Sequence, residues 1–587
     1  MTRARWWNAP GKRWMSLLER REDQVFLILT LIIGALVGLS VVAFILLTER
    51  AGMRMYPPGG ERWRRLALPI AGSLGIGYLL FRYFPDARGS GVPQTKAALF
   101  ARDGRITLST VLGKFFCTSA TLASGIPLGR EGPAVQVGAG IASVLGRALG
   151  LRPEKVKALI PVGTAAAIAA AFNTPLAAVL FSLEEVMGDL HAPILGSVVL
   201  ASAVSWGVLR SLLGNHPLFD VPQYQLASPG EFGIYVILGV AGGVLSAGFS
   251  SMLLKVRRFF LALPRATRWW HPVTGGIVVG MMGWFVPQVL GVGYAYVGQA
   301  LNGQMALRLM LILLALKFFA IITSYASGNA GGIFGPSLFL GAMLGGMTGG
   351  IAHHFLPGST ANSGAYALVG MGTVFAGIVR APMTSVLMIF EMTRDYAVIV
   401  PLMISNLISF FIASRLQHEP IYEALARQDG IHLPSSGGRA ELGQRRVSRV
   451  MRAPAELLQS SMTLRQAVEQ TRSSTSGSWI VTDEEGVVGV LRRSVLMQAV
   501  AQESVVDENV VDENKETPER QLSELLDLTE FPHLHVDHAL HVALERMSAA
   551  RLDLIPVVSR ANVRKLEGIV TLRDALDSYG FDSLGTA

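Results

Sequence analysis

The stretch from Gly125 to Gly138 reads G-I-P-L-G-R-E-G-P-A-V-Q-V-G. It sets Arg130 and Glu131 between glycines, in a region otherwise apolar enough for lipid, and closes with Pro133, a residue suited to open a helix. Charged side chains in hydrocarbon are costly, so the stretch predicts an ionic function. Glycines let a backbone come close to an ion, and a helix that begins inside the membrane presents unsatisfied N–H groups and about half a positive charge. The stretch therefore predicts the core of an anion site.

Its surroundings are those of a polytopic membrane protein. The 587 residues are 51% hydrophobic and 16% charged, with a mean hydropathy of +0.42, far from the composition of a soluble chain of this size. Val25 to Leu47 is longer than the ~20 residues that cross a bilayer and lacks a small-residue cleavage pattern, so it predicts a span and a retained N-terminus rather than a signal peptide. Arg3, Arg5, Lys12, Arg13, Arg20 and Arg21 precede it and predict a cytoplasmic N-terminus. The net charge of +9 reads as topology, because no interleaved basic and aromatic pattern points to nucleic acid. The single cysteine, Cys117, leaves neither a disulfide framework nor a Cys-based metal site.

Apolar segments follow one another to about Ser414. Leu66 to Leu80, Val156 to Phe172, Ile194 to Leu212, Phe232 to Leu253, Val273 to Leu290, Leu307 to Ile322 and Val398 to Ser414 read as helices. Shorter pieces open at Val92, Ala134, Pro175, Ser337 and Pro382, each after a glycine- or proline-marked turn. Broken helices at membrane depth are tolerated where they line a protein-enclosed cavity. The prediction is an all-α polytopic domain over residues 24–430, with a basic segment 1–23 ahead of it and two halves at 24–213 and 230–430. Beyond it come a linker at 431–449 containing P-S-S-G-G-R and a soluble cytoplasmic tail of short alternating strands. The tail holds two similar units, 450–500 and 528–587. An acidic linker, 501–527, separates them and carries V-V-D-E-N twice, Val505 to Asn509 and Val510 to Asn514.

Sliding the sequence along itself by 203 positions exposes an internal repeat. Lys114-Phe115-Phe116 falls on Lys317-Phe318-Phe319, Gly129 on Gly332, Gly132-Pro133 on Gly335-Pro336, and Gly138 on Gly341. With a small change of offset, Pro175, Val179-Leu180 and Glu184 fall on Pro382, Val386-Leu387 and Glu391. Paired interrupted segments in two halves point to a transport site near the midplane. The repeat also sorts the acids. Glu184 and Glu391 match each other and read as scaffold carboxylates bonded to backbone groups, whereas Glu131 and Glu185 fall on Phe334 and Met392 and read as functional.

Taken together, G-S-G-V-P at Gly89 to Pro93, G-R-E-G-P at Gly129 to Pro133, G-I-F-G-P at Gly332 to Pro336 and Tyr422 in E-P-I-Y-E-A-L resemble the CLC family of chloride channels and chloride/proton antiporters. The resemblance implies an inverted repeat of broken, tilted helices in a homodimer, embedded in a lipid bilayer, with one pathway per subunit. It implies a central chloride held by the hydroxyls of Ser90 and Tyr422 and by the backbone N–H groups of Ile333 and Phe334. Gly89, Gly91, Pro93, Gly129, Arg130, Gly132, Pro133, Gly332, Gly335 and Pro336 would form the selectivity loops. Glu131 would be the gating glutamate and Glu185 the acid that exchanges protons with the cytoplasm. Lys114 and Arg130 would raise the positive potential, the plainer alternative being structural cations satisfied by carbonyls. The Glu184-Glu185 pair favours antiport over a passive, voltage- or pH-gated chloride channel, the alternative function. Ser90 and Tyr422 favour chloride as the anion.

The tail resembles a pair of CBS modules. In the second, G-I-V-T-L-R-D ends on Thr571 and Asp574, positions that in this resemblance contact the ribose of an adenine nucleotide; the first module lacks the pair. No cofactor is implied for transport itself. An enzyme is disfavoured: His418-Glu419 begins a zinc motif, but Tyr422 stands where the second histidine is needed. The histidines His533, His535, His538 and His541 read as a solvated face, and His353-His354 as a polar helix end.

Overall fold

The computed structural model describes residues 22–190, 193–214, 218–219, 221–222, 224, 228–431, 433, 445–454, 456–474, 476–509, 520–526 and 531–578. Most of the basic N-terminal segment, the P-S-S-G-G-R stretch and the second V-V-D-E-N copy lie outside these residues. The chain divides into two compact units, residues 1–433 and 434–587.

The first unit is helical. Its first series is α1 (Glu22–Met55), α2 (Arg62–Arg82), α3 (Val92–Ala101), α4 (Leu108–Ala123), α5 (Glu131–Ala148), α6 (Pro153–Phe172), α7 (Pro175–Phe181) and α8 (Leu195–Leu213). The second series is α9 (Glu231–Ala262), α10 (His271–Phe285), α11 (Tyr294–Leu301), α12 (Leu307–Ser327), α13 (Phe334–Phe355), α14 (Ser363–Val379), α15 (Pro382–Thr393) and α16 (Ile399–Leu416). Each element of the second series takes the place of its counterpart in the first, in the same order. Among the described residues, one α-helix of this unit, α17 (Ile421–Gln428), falls outside the two series. Among the described residues, seven helices are long and apolar enough to cross a membrane.

Several elements differ from the sequence expectation. The pieces expected to open at Ala134 and Ser337 open earlier, at Glu131 and Phe334. Pro133 and Pro336 therefore sit in first turns, where a missing N–H costs nothing. Hydropathy also passed over α4, α11, α14 and α17, and α10 stops at Phe285 instead of Leu290. Residues Gly364 to Val379 of α14 are buried, and at 17 residues the helix is apolar but shorter than a simple span. Small residues have a packing reason here. A Cβ on Gly138 or Gly163 would strike the other's carbonyl oxygen where α5 crosses α6, and Gly341 and Gly370 repeat the crossing between α13 and α14.

The second unit is α/β. Strand β1 (Leu457–Gln459) runs parallel to β2 (Ser478–Asp483), which pairs antiparallel with β3 (Gly486–Arg492). Strands β4 (Leu554–Val558) and β5 (Leu566–Thr571) form an antiparallel ribbon. Helices Leu464–Thr471, Arg493–Asn509, Leu540–Ala550 and Leu572–Ser578 pack with them. Segments that composition assigns to linkers take part in this unit. Val447 donates its amide to His538 O (2.9 Å), and Leu540 donates to Arg445 O (2.7 Å). Leu522 donates to Met462 O and Ser523 to Ser460 O, each at 3.0 Å. Each module is thus completed by the segment that precedes the other. The backbone of the first V-V-D-E-N copy continues the helix Arg493–Asn509.

Candidate functional site

The two glycine motifs meet at Gly129 and Gly332, which exchange backbone hydrogen bonds in both directions, at 2.8 and 2.7 Å. This bridge between repeat-related residues brings the start of α5 against the start of α13, deep in the unit. Glu131 and Phe334 are fully buried as the first residues of those helices. The Glu131 carboxylate crosses to the other half: Oε2 accepts the Gly335 amide at 3.2 Å, and Oε1 accepts the Tyr294 hydroxyl. A negative charge thus sits on the positive end of α13. Phe334 instead turns into an aromatic cluster, with ring centroids 4.9 Å from Phe172, 5.4 Å from Phe181 and 4.5 Å from Phe375.

The G-S-G-V-P loop lies against this bridge. Gly89 and Gly91 have φ of 86° and 104°, which glycine adopts without strain. A Cβ on Gly91 would collide with Gly132 O, so the loop and the α5 start share a backbone contact. The buried Lys114 ammonium fixes the loop by donating to Ala87 O (2.9 Å) and Gly89 O (2.6 Å). This is the plainer of the two expectations for Lys114, a structural cation satisfied by carbonyls. Pro93 occupies the first turn of α3. The hydroxyl oxygens of Ser90 and Tyr422 are buried, and among the described residues neither has a hydrogen-bond partner. Unmatched buried hydroxyls are costly, and an anion bound between them would satisfy both.

The Arg130 guanidinium pairs with Glu49 at 3.3 Å and lies 5.7 Å from the centre of the Tyr294 ring.

Below these loops, α7 runs into a π-helical segment, Ser182–Met187, that carries both acids of the pair. Glu184 accepts the amides of Met383 (3.2 Å) and Thr384 (2.8 Å) and the Thr384 hydroxyl (2.6 Å), at the start of α15. Glu391, at the end of α15, returns the contact to the amides of Leu176 (3.0 Å) and Ala177 (2.7 Å) at the start of α7. The scaffold reading of these two acids is what the geometry contains. Among the described residues, Glu185 has no such amides. It accepts Lys96 Nζ at 2.8 Å, and Lys96 also lies 3.7 Å from Glu423, all three being buried.

Sequence reasoning missed Tyr294, Lys96 and Glu423. Tyr294 had a signal: G-V-G-Y at Gly291 to Tyr294 occupies the place of G-S-G-V at Gly89 to Val92, and Lys317 clamps it by donating to Gly291 O and Val292 O at 2.8 Å. Lys96 and Glu423 carry no such signature, and only the fold brings them to Glu185.

A family model described as voltage gated chloride channel matches residues 71–414, and a CBS domain model matches residues 447–502 and 524–580. The chain belongs to the voltage-gated chloride channel family. It is 33% identical over 367 residues to the H(+)/Cl(-) exchange transporter ClcA of Vibrio campbellii, covering 61% of this chain and 78% of that one. Among solved structures of the family, a slow cyanobacterial Cl-/H+ antiporter superposes with a TM-score of 0.63 at 26% identity, covering 69% of this chain and 97% of that one. A eukaryotic CLC transporter, at 18% identity and a TM-score of 0.59, shares the fold over 94% of this chain.

In the tail, Thr571 and Asp574 face each other. The Thr571 hydroxyl donates to Asp574 Oδ2 at 2.5 Å, and the Asp574 amide donates back to Thr571 Oγ1 at 3.2 Å. The pair caps the helix Leu572–Ser578, and Asp574 also pairs with Arg452 at 3.0 Å. Among the described residues no group of three or more His, Cys, Asp or Glu side chains could hold a metal.

Proposed function

We propose that this chain exchanges chloride for protons across a membrane. The observation that carries the reading is the Glu131 carboxylate on the Gly335 amide: an ionised side chain occupies the helix-terminal position that suits an anion. Protonated, it loses its attraction for that position and vacates it, so anion entry and proton uptake compete for one place. Chloride reaching the centre meets the Ser90 and Tyr422 hydroxyls and the amides at Ile333 and Phe334. A site made of hydroxyls and backbone dipoles holds an anion and still releases it.

Glu185 relays the proton towards the cytoplasm. Lys96 holds it in place and offsets its charge, and Glu423 lies beyond the lysine, one residue from Tyr422. In this reading the termini are cytoplasmic and two chains form a homodimer in the bilayer, each with its own pathway. The 33% identity to an H(+)/Cl(-) exchange transporter supports exchange. The chemistry is transport and not catalysis. At the tail, the Thr571 and Asp574 pair is the place for an adenine nucleotide, whose ribose would have to compete with the cap and with Arg452. Calorimetric titration of the purified protein with ATP and AMP tests that part.

Liposomes holding the purified protein test the exchange. The reversal potential is expected to move with an imposed pH gradient. A reversal potential set by chloride alone would make the protein a passive channel.

A further inference from the structure

We propose that Tyr294 is a latch on Glu131: its hydroxyl holds the carboxylate on the Gly335 amide, so the pathway opens only when this hydrogen bond breaks. The proposal rests on the gating reading of Glu131 and adds a positioning residue that sets how easily the gate leaves its seat.

Among the described residues the carboxylate has two hydrogen-bond donors, the Gly335 amide and the Tyr294 hydroxyl. The seat is filled to contact, since a Cβ on Gly335 would lie 2.8 Å from both the Tyr294 hydroxyl and Glu131 Oε2. The tyrosine ring is itself braced: Phe219 meets it edge-on at 5.9 Å, and the Arg130 guanidinium stands 5.7 Å away, tied to Glu49 of α1. Tyr294 is half-buried while Glu131 is fully buried, so the tyrosine is the more exposed partner.

The repeat explains how the residue comes to be there. Lys114 and Lys317 clamp equivalent glycine loops. In the first half the loop delivers the Ser90 hydroxyl and then Val92; in the second it delivers Val292 and then Tyr294. One scaffold thus places one hydroxyl at the central site and another at the gate.

The groups that face Glu131 are Arg130 beside it, Glu49 through that arginine, Tyr294 from α11 and Tyr422 from α17. A hydroxyl donates more strongly to an ionised carboxylate than to a neutral carboxyl. Loss of the hydroxyl therefore weakens the seated, ionised gate selectively.

The test is chloride efflux from liposomes as a function of pH, with wild type, Tyr294→Phe, Glu131→Gln and the double variant. Wild-type efflux is expected to rise on acidification. Tyr294→Phe moves the midpoint up by about one pH unit, the tenfold change that loss of a hydrogen bond to a charged group produces. In the Glu131→Gln background the same substitution produces no shift. An unchanged midpoint in Tyr294→Phe overturns the latch, and so does a shift that persists without Glu131. If Glu131→Gln alone keeps the wild-type pH response, the gating reading of Glu131 fails, separately from the latch.

Discussion

The two halves of the membrane unit use one scaffold for different ends. Lys114 and Lys317 each bind two carbonyls of a glycine loop. Gly129 and Gly332 pair with each other across the centre, and Glu184 and Glu391 each cap the other half's short helix. Where the halves match, the residues hold the fold. They diverge at Ser90 against Val292, Glu131 against Phe334, Glu185 against Met392 and Val92 against Tyr294, and each divergence lies on or beside the proposed path. In the proposed exchange the first half would carry the proton, while the second presents amides and an aromatic cluster.

The largest effect is expected from erasing the divergence at the gate. Glu131→Ala leaves both helix starts without a carboxylate, so coupled proton uptake in liposomes falls to the leak while chloride flux persists. Continued proton pumping by a chloride gradient in this variant would remove Glu131 from the mechanism. Next comes the inner acid. Lys96→Met strands Glu185 as a buried charge without its partner, a change that costs about 3–5 kcal/mol. Lys96→Met with Glu185→Met instead rebuilds what the second half has at Met392, and thermal unfolding in detergent should recover in part, since Glu423 still lacks its lysine, without restoring proton transport. A double variant as unstable as the single one would show that Lys96 stabilises the fold chiefly through Glu423.

The same comparison shows what was legible beforehand. The repeat, the loops and the two unmatched acids could be read because glycines, prolines and charges in an apolar chain stand out against their background. Helices α4 and α14 escaped because they are apolar but short, 16 and 17 residues, below the length by which a simple span is recognised. The start of α5 was placed three residues late because Pro133 marks the first turn rather than the first residue. Lys96 and Glu423 were invisible for another reason: Glu185 lies far from both in sequence, and only the fold brings the three together. Tyr294 was within reach, since extending the repeat upstream from Lys317 leads to it, but an aromatic residue in an apolar chain draws no attention until its hydroxyl has a partner.

The lysines separate scaffold from path. Lys114→Met and Lys317→Met each leave two carbonyls without their donor, and each should lower stability by roughly 3 kcal/mol. They should differ in what they change in transport. Lys114 orders the loop that carries Ser90, so its loss raises the chloride KM severalfold, whereas Lys317 orders the loop that carries Val292 and Tyr294, so its loss moves the pH midpoint of efflux with a smaller change in KM. Equal KM shifts in the two variants would mean that the halves share the anion site more evenly than their hydroxyls suggest.

The smallest expected effect concerns the reciprocal caps. Glu184 and Glu391 accept amides at the starts of α15 and α7, where a carboxylate also meets the positive end of the helix. Substitution by glutamine keeps an acceptor but removes the charge, so each of Glu184→Gln and Glu391→Gln should cost about 1 kcal/mol in thermal unfolding, with the exchange ratio of chloride to protons unchanged. Glu184 is the stricter test because it is the chain neighbour of Glu185. The π-helical turn sends the two side chains to different partners, the α15 amides and Lys96, so a proton moving through Glu185 has no need of Glu184. If Glu184→Gln altered the exchange ratio while Glu391→Gln did not, the pair would have to be treated as one proton-carrying site, and the symmetry that assigns Glu184 to the scaffold would end one residue earlier.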